Sequence, residues 1–432
     1  MSEGLPVRGV VFWPVGTGDS STIVVDESLV VQVDLHDMRK AQAEANPEAA
    51  VVDELVAALP TVGEEPYLAV FALTHIDKDH CLGFADLLAR VRIGEIWATP
   101  RMWREYLDEE IEEPCADAVA FREECERRIA AVTRDLGLGI TPSSGDRIRV
   151  IGYDTDHDKH AYNELPDEYL AWPGQTLTVL DGEDCSGRFE AFIHAPFKND
   201  EAEPRNDTSL AMQVTLIDGS GVDGKVLLFG DLAHDTIMKI FDYSEAHDRP
   251  ERLEWDLLLA PHHCSKYVMH TRVDGELILQ QDVLDALEKH ARVGAKIVAS
   301  SSEFPDVDVD GNNPPHRAAA DRYAEICDEL ICTMSWFGDG EPEPVVFGVD
   351  ASGARIISGE LVELSAQEAG RELRASAAGG RFAAITAAAK KVASTLPAAS
   401  SLRTTGPERV AAAVAADRGG ARAPENPVGF GC

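Results

Sequence analysis

The stretch Thr74-His75-Ile76-Asp77-Lys78-Asp79-His80-Cys81-Leu82-Gly83 sets two imidazoles and two carboxylates within six residues. His75, Asp77, Asp79 and His80 are all ligand types for a divalent cation. Placed at the end of the apolar run YLAVFAL (67–73), four such groups would repel one another and lose hydration unless a cation compensated them, so the pattern points to metal binding. A solvated turn that happens to hold His and Asp is the bland alternative. Groups of the same character follow other β-rich runs: Asp231 in LLFGD, His262 and His263 in LLLAPHHCS, and His194 in FIHAP. Their strand-end placement lets them converge on one edge of a sheet sandwich, although His194 fits a hydrogen-bonded surface histidine equally well.

The elements that must hold these groups are of mixed type. RGVVFWPV, STIVVD and LVVQVD (within 7–34) read as three short strands, EAAVVDELVAAL (48–59) has helical periodicity, and 67–73 is short enough for a buried strand. A helix starts at Gly83, IGEIWAT is strand-like, and the charged segment 101–136 reads as a helical insertion that either caps the site or forms a surface helix pair. QTLTVL, RFEAFI, SLAMQVTLI, KVLLFG, DLLLA and AKIVAS add further strands with helical stretches between several of them. The class is α/β.

Composition bounds the function. The chain has 432 residues, 76 acidic against 39 basic, and a formal net charge of -37, which disfavours a surface that grips nucleic acid by neutralising phosphates. No apolar stretch of about 18 residues is present, so no membrane span is expected. The opening lacks a signal-peptide pattern, and a cytoplasmic location is the expectation. Eight cysteines without a C-x-x-C pair fit neither a disulfide framework nor a thiolate zinc site. Phosphate-cradling and dinucleotide motifs are absent, and His157 and His160 in DTDHDKH read as part of a solvated loop. Near residue 370 the composition turns to Ala, Gly, Ser and Arg and becomes basic, the mark of a flexible appendage through which a protein partner could be recruited.

Taken together and in order, these motifs resemble the metallo-β-lactamase fold superfamily, whose H-x-[HD]-x-D-H motif is here H-x-D-x-D-H. More narrowly they are similar to the soluble hydrolase domain of ComEC-type competence proteins. Val15-Gly16-Thr17-Gly18-Asp19-Ser20, Val33-Asp34, Asn206-Asp207-Thr208-Ser209-Leu210, Phe229-Gly230-Asp231, Pro261-His262-His263-Cys264-Ser265 and Asn312-Asn313-Pro314-Pro315-His316 carry that likeness over about residues 8 to 350. The resemblance implies an αββα sandwich over 1–360, with 101–136 as its helical insertion and 361–432 as a low-complexity tail.

It also implies two divalent ions, Zn²⁺ or Mn²⁺. His75 and Asp77, with His194, would hold one; Asp79, His80 and His263 the other; Asp231 would bridge them, with His262 and Asp34 supporting the ligands from behind. Asp79 would orient the attacking water and His316 protonate a leaving group or hold a phosphate oxygen. Asn206 and Ser209 would hydrogen-bond around the site, or simply cap a strand entry. The implied activity is metal-dependent hydrolysis of a phosphodiester in a nucleic acid, nucleotide or phospho-headgroup. Hydrolysis of an ester, lactone or thioester, and a non-catalytic metal-stabilised scaffold, are the alternatives. Two departures matter: Cys264 stands where the family has Gly, so a changed loop backbone is expected, and Pro-Pro-His replaces His-Pro in the late element.

Overall fold

The computed structural model describes residues 4–38, 47–104, 114–152, 161–197, 205–273, 276–309, 311–338 and 340–357. His157, His160 and the segment 361–432 lie outside the described residues.

Two sheets face each other. The first has ten strands, and its main path runs Gly353–Ile357, Val345–Asp350, Gly9–Phe12, Ser21–Asp26, Leu29–Val33, Glu65–Ala72, Arg92–Ala98, Arg147–Ile151, Leu170–Ala171. Neighbours are antiparallel as far as Leu29–Val33 and parallel beyond it. The second has seven, in the order Glu329–Cys332, Ala291–Ala299, Trp255–Leu259, Asp223–Leu228, Ala211–Ile217, Phe189–Ala195, Thr176–Leu177. Its first four strands are parallel and the rest antiparallel. The run QTLTVL, expected as one strand, divides into Thr176–Leu177 and Val179–Leu180, because the Thr178 carbonyl turns to accept from Cys185 N–H at 2.7 Å.

Strand alternation builds the layers. Val10 and Phe12 point into a core between the sheets with Ile23, Val31, Trp97, Met212, Val226 and Val298, whereas Val11 points outward with Val24, Phe71 and Ile96. Leu227 and Ile297 do the same on the far side of the second sheet. Those outer faces are covered by helices. Val51–Ala58, Phe84–Arg90 and Ala116–Gly137 pack on the first sheet, and His234–Ala246, Gln281–His290 and Arg317–Tyr323 on the second. The result is the αββα sandwich that the resemblance implied, because near-continuous apolar strands buried on both faces demand a helical layer on each side.

Of the charged segment 101–136, the described helix Ala116–Gly137 belongs to this architecture. It buries Phe121, Cys125 and Ile129 against the first sheet. Arg128, buried on the same helix, donates to the carbonyls of Ile93 (2.9 Å), Gly94 (3.0 Å) and Arg147 (2.9 Å) and pairs with Glu124 (2.9 Å). That fully used guanidinium explains why a helix so rich in charge docks on a sheet. Among the described residues no helix is long and apolar enough to cross a membrane.

Candidate metal centre

Parallel strands bring their carboxyl ends to a common edge, and that edge is where ligand-binding loops gather in α/β sheets. Leu29–Val33 ends at Asp34 and Glu65–Ala72 runs on to Thr74 and His75; in the second sheet Asp223–Leu228 leads to Asp231, and Trp255–Leu259 to His262 and His263. Backbone bonds stitch the loops across the two sheets. Asp34 N–H donates to the Ala72 carbonyl (2.9 Å), Leu35 to His80 (2.7 Å), Asp19 to Asp79 (3.0 Å), Leu210 to Thr74 (3.0 Å) and His262 to Gly230 (3.0 Å). Gly18 has to be glycine for this closure, since a Cβ there would lie 2.2 Å from His36 Nδ1 and 2.9 Å from the Asp79 carbonyl.

The Asp231 carboxylate stands at the middle of the gathered side chains. Its Oδ1 faces His80 Nε2 at 3.2 Å and His263 Nε2 at 3.7 Å; its Oδ2 faces His262 Nε2 at 3.6 Å and His75 Nε2 at 3.8 Å. Asp79 Oδ2 lies 3.2 Å from His263 Nε2, and Asp77 Oδ2 lies 3.5 Å from His75 Nε2. Two donor groups thus share one carboxylate.

Outer partners fix how the imidazoles present themselves. His80 Nδ1 lies 2.8 Å from Asp34 Oδ2, whose carboxylate's other oxygen accepts from Thr74 N–H (2.7 Å), so Nδ1 carries a proton and Nε2 is the atom turned inward. His263 Nδ1 lies 3.2 Å from the Ser300 carbonyl and 3.3 Å from Asp19 Oδ1, with the same consequence. His75 Nδ1 faces the hydroxyls of Thr74 (3.1 Å) and Ser209 (3.3 Å).

His75 Nε2, His80 Nε2, His263 Nε2, Asp231 Oδ1 and Asp19 Oδ1 are all buried without a hydrogen-bond partner. Ligand atoms of Asp19, His80, Asp231 and His263 lie within 4.8 Å of one another. Buried polar atoms left unpaired cost roughly 1–3 kcal/mol each, and a divalent cation satisfies several together, so the residues fit a metal. The electrostatics agree. Burial opposes charge on His80 and His263, yet Asp231 and Asp34 raise the first well above the usual imidazole value, and Asp231, Asp19 and Asp79 raise the second to about 10. Burial likewise works against the Asp231 carboxylate, but His80 and His263 hold it well below the ordinary range. The pocket strongly favours positive charge.

Most of the sequence-derived set is brought together: His75, Asp77, Asp79, His80, Asp231 and His263, with Asp34 behind His80. Ser209 also falls behind the ligands, its Oγ near His75 Nδ1 and accepting from Asp231 N–H at 3.4 Å. Asn206 acts through its main chain: its carbonyl accepts from Ser209 N–H (3.1 Å) and Oγ (2.8 Å), the strand-entry cap.

Three expectations are corrected. His194 is not in the cluster; its Nε2 faces the Arg252 carbonyl at 2.9 Å and its ring packs on Phe192. His262, expected behind the ligands, points Nε2 into the cluster, on the Asp231 oxygen that faces His75, and takes the place given to His194. His316 has both ring nitrogens committed to the backbone, Nδ1 accepting from Lys266 N–H (3.2 Å) and Nε2 donating to the Asn312 carbonyl (3.1 Å), so it is a brace and not a proton donor. The brace serves a strained loop: His262, His263 and Cys264 have φ of 50°, 51° and 66°. Cys264 therefore keeps the left-handed backbone despite lacking glycine's freedom, with His316 N–H donating to its carbonyl at 3.1 Å. Both imidazoles are turned inward by these successive left-handed residues.

Asp19 received no role from sequence. Its signal was the Gly-rich loop ending in an acid, but its carboxylate reaches His263 only through the long-range pairing of that loop with Asp79.

No family model and no curated protein sequence matches the chain. Solved structures similar to it include the metallo-β-lactamase fold protein YhfI from Bacillus subtilis, 12% identical over 78% of this chain and 99% of that one, with a TM-score of 0.36. The metallo-β-lactamase MIM-1 from Novosphingobium pentaromativorans is 16% identical over 60% and 76% (TM-score 0.27). Zn²⁺-bound PqqB from Methylobacterium extorquens is 12% identical over 56% of each chain (TM-score 0.24). The layer order described above makes the architecture an αββα sandwich.

Proposed function

We propose that the protein is a divalent-metal-dependent hydrolase of phosphodiesters in which Asp231 would serve two ions, Zn²⁺ or Mn²⁺. The observation that carries this reading is the two-sided Asp231 carboxylate, with His80 and His263 on one oxygen and His75 and His262 on the other. His75, Asp77 and His262 would hold one ion, and Asp79, His80 and His263 the other. Such ions supply Lewis acidity, a water of lowered pKa and charge stabilisation for in-line displacement at phosphorus.

The chain's own groups then divide the remaining work. Asp34 and the Ser300 carbonyl keep His80 and His263 in the tautomer that offers Nε2. Asp79, whose side chain is 39% exposed while Oδ2 lies 3.2 Å from His263 Nε2, would both hold an ion and meet solvent, which suits it to orient the attacking water. Burial works against its ionisation, but His263 and His80 hold it well below the usual carboxylate range, so it acts as an acceptor throughout.

A cleft built by segments that follow the cluster residues in the chain has a polar lining of mixed charge. About 310 Å³ in volume, it is lined by Asp207, Ala233, His234, Asp235, Thr236, Lys239, Tyr267 and Thr271, which follow Asn206, Asp231 and His263 in the chain. Burial opposes charge on His234, but Asp235 and Asp282 outweigh it and raise its pKa, while Asp207 and Asp235 place carboxylates on the same wall as Lys239. A hydrophobic acyl group finds few apolar side chains on that wall. The substrate could be nucleic acid, a nucleotide or a phospho-headgroup, and the competence-protein likeness of the ordered motifs favours the first two.

The test is metal content together with turnover of bis(p-nitrophenyl) phosphate under Zn²⁺ and Mn²⁺, beside a p-nitrophenyl ester. Two ions per chain and phosphodiester turnover that disappears in Asp79→Ala and His263→Ala are expected. Ester turnover alone would transfer the site to acyl chemistry, and bound metal without turnover of either would leave a metal-stabilised scaffold.

A further inference from the structure

Cys81 and Cys115 lie 34 residues apart in sequence, yet their Sγ atoms are 3.5 Å from each other. Cys81 is fully buried, while Cys115 is half-buried. Cys115 occupies the N-cap position of the 22-residue helix Ala116–Gly137, whose unpaired first-turn amides favour an anion. Cys81 directly follows the ligand His80 and closes the turn Lys78–Cys81, its N–H donating to the Asp77 carbonyl at 3.2 Å. No step in the hydrolytic mechanism uses either thiol.

We propose that Cys81 and Cys115 form an oxidisable dithiol that takes hydroperoxides, and that its disulfide pulls the His80 turn out of register with the metal cluster. The Cys115 thiolate attacks the distal oxygen of ROOH: an S–O bond forms, the O–O bond breaks, and a proton goes to the departing alkoxide, giving Cys115–SOH and ROH. The Cys81 thiol then attacks that sulfur. The S–S bond forms, the S–O bond breaks, and water leaves with the thiol's proton, so two thiols and one hydroperoxide yield a disulfide, ROH and water. Its neighbour supports the first step: the hydrogen bond from Cys81 outweighs burial and, with the amides of Ala118 and Asp117, lowers the Cys115 thiol to about 6. Cys327, the other half-buried cysteine among the described residues, is pushed by burial to about 11 and supplies an internal control.

Closing the sulfur separation from 3.5 Å to about 2.05 Å favours movement of the short turn, since the opposing helix is held by Arg128 and by buried Phe121, Cys125 and Ile129. His80 moves with it. That consequence rests on the metal-site reading above; formation of the disulfide does not.

The experiment treats the full-length protein with equimolar hydrogen peroxide, maps non-reduced peptides, and titrates Mn²⁺, which thiols bind poorly, before and after oxidation. Expected are an 81–115 linked peptide two hydrogens lighter, Cys115 reacting at least tenfold faster than Cys327, and Mn²⁺ affinity lowered at least tenfold and restored by a phosphine reductant. Cys115→Ser should abolish all three changes while folding normally, because serine is a favoured N-cap. Cys115 reacting no faster than Cys327, a different linkage, or a linked form with unchanged Mn²⁺ affinity would overturn the proposal. Failure of the reduced protein to bind Mn²⁺ or Zn²⁺ would instead overturn the metal reading, which the peptide map distinguishes.

Discussion

Asp34 offers the sharpest single test, because one oxygen-to-nitrogen exchange reverses what His80 presents to the cluster. Asp34 has φ 56°, a left-handed conformation that asparagine tolerates as well as aspartate, so Asp34→Asn should preserve the backbone. Asparagine's oxygen can still accept from Thr74 N–H, and its NH₂ can still reach Thr74 Oγ1, both 2.7 Å away in the native protein. That NH₂ then faces His80 Nδ1 across 2.8 Å, donor against donor. The imidazole relieves the conflict by moving its proton to Nε2, where it points at Asp231 Oδ1, 3.2 Å away, and no lone pair remains for a metal. Keeping the working tautomer means forfeiting a hydrogen bond to a charged group, about 1.5–3 kcal/mol, or roughly ten- to a hundredfold in affinity. Calorimetric titration of the metal-stripped protein with Zn²⁺ and Mn²⁺ measures the loss, a thermal melt confirms folding, and long-range ¹⁵N–¹H correlations read the His80 tautomer. Native affinity in a folded Asp34→Asn variant, or an unchanged tautomer, would refute the reasoning.

Four further outcomes follow from the geometry. Gly18→Ala drives a Cβ into His36 and the Asp79 carbonyl, and should cost about 1–3 kcal/mol in a denaturant titration and weaken metal binding with it. His316→Ala should lower metal affinity by loosening the His262–Cys264 loop while leaving the shape of the pH–rate profile unchanged; loss of its alkaline limb would restore a proton-donor role. Burial depresses His194 to about 4, opposed only in part by its bond to Arg252, so the folded state binds fewer protons than the unfolded state between about pH 4 and 6.5. Its contribution is therefore complete above pH 6.5 and is lost as pH falls toward 4, up to about 3 kcal/mol; His194→Gln should flatten the stability–pH slope by one proton, and an unchanged slope would contradict the burial argument. Millimolar chelator should lower the melting temperature of the loaded native protein but not of Asp231→Ala, as expected if binding energy is folding energy.

What sequence could and could not show follows from how far each constraint reaches. The H-x-D-x-D-H cluster was legible because its ligands share one turn and its strand announces itself by an apolar run; the structure leaves those four residues where the spacing put them. The sandwich was legible because strands buried on both faces read as continuous apolar runs. The placing of the helix Ala116–Gly137 was not, since its docking depends on Arg128 reaching three carbonyls of distant strands, and a buried arginine looks like any surface charge in a sequence. His262 stands in the place expected of His194 for a similar reason. A histidine's position after a strand says which edge it nears, but its side chain is aimed by backbone torsion: His262 enters the cluster only because φ is 50°, and His194 leaves it for the Arg252 carbonyl.

The same loop shows why the centre needs the whole fold. Three successive left-handed residues without a glycine cost roughly 1–2 kcal/mol each, and nothing local repays that. The compensation comes from outside the loop. At the start of the helix Arg317–Tyr323 the His316 main-chain N–H donates to the Cys264 carbonyl and its ring Nδ1 accepts from Lys266 N–H, while the Gly230 carbonyl accepts from His262 N–H. Strain held at the ligands by bonds from separate layers is the arrangement that lets an inward-facing histidine pair persist before any cation arrives. The brace and the strain should therefore be coupled. In His316→Ala, Cys264→Gly should recover stability that it does not provide in the native background, and a double-mutant cycle with no coupling would show that the loop is held by something else.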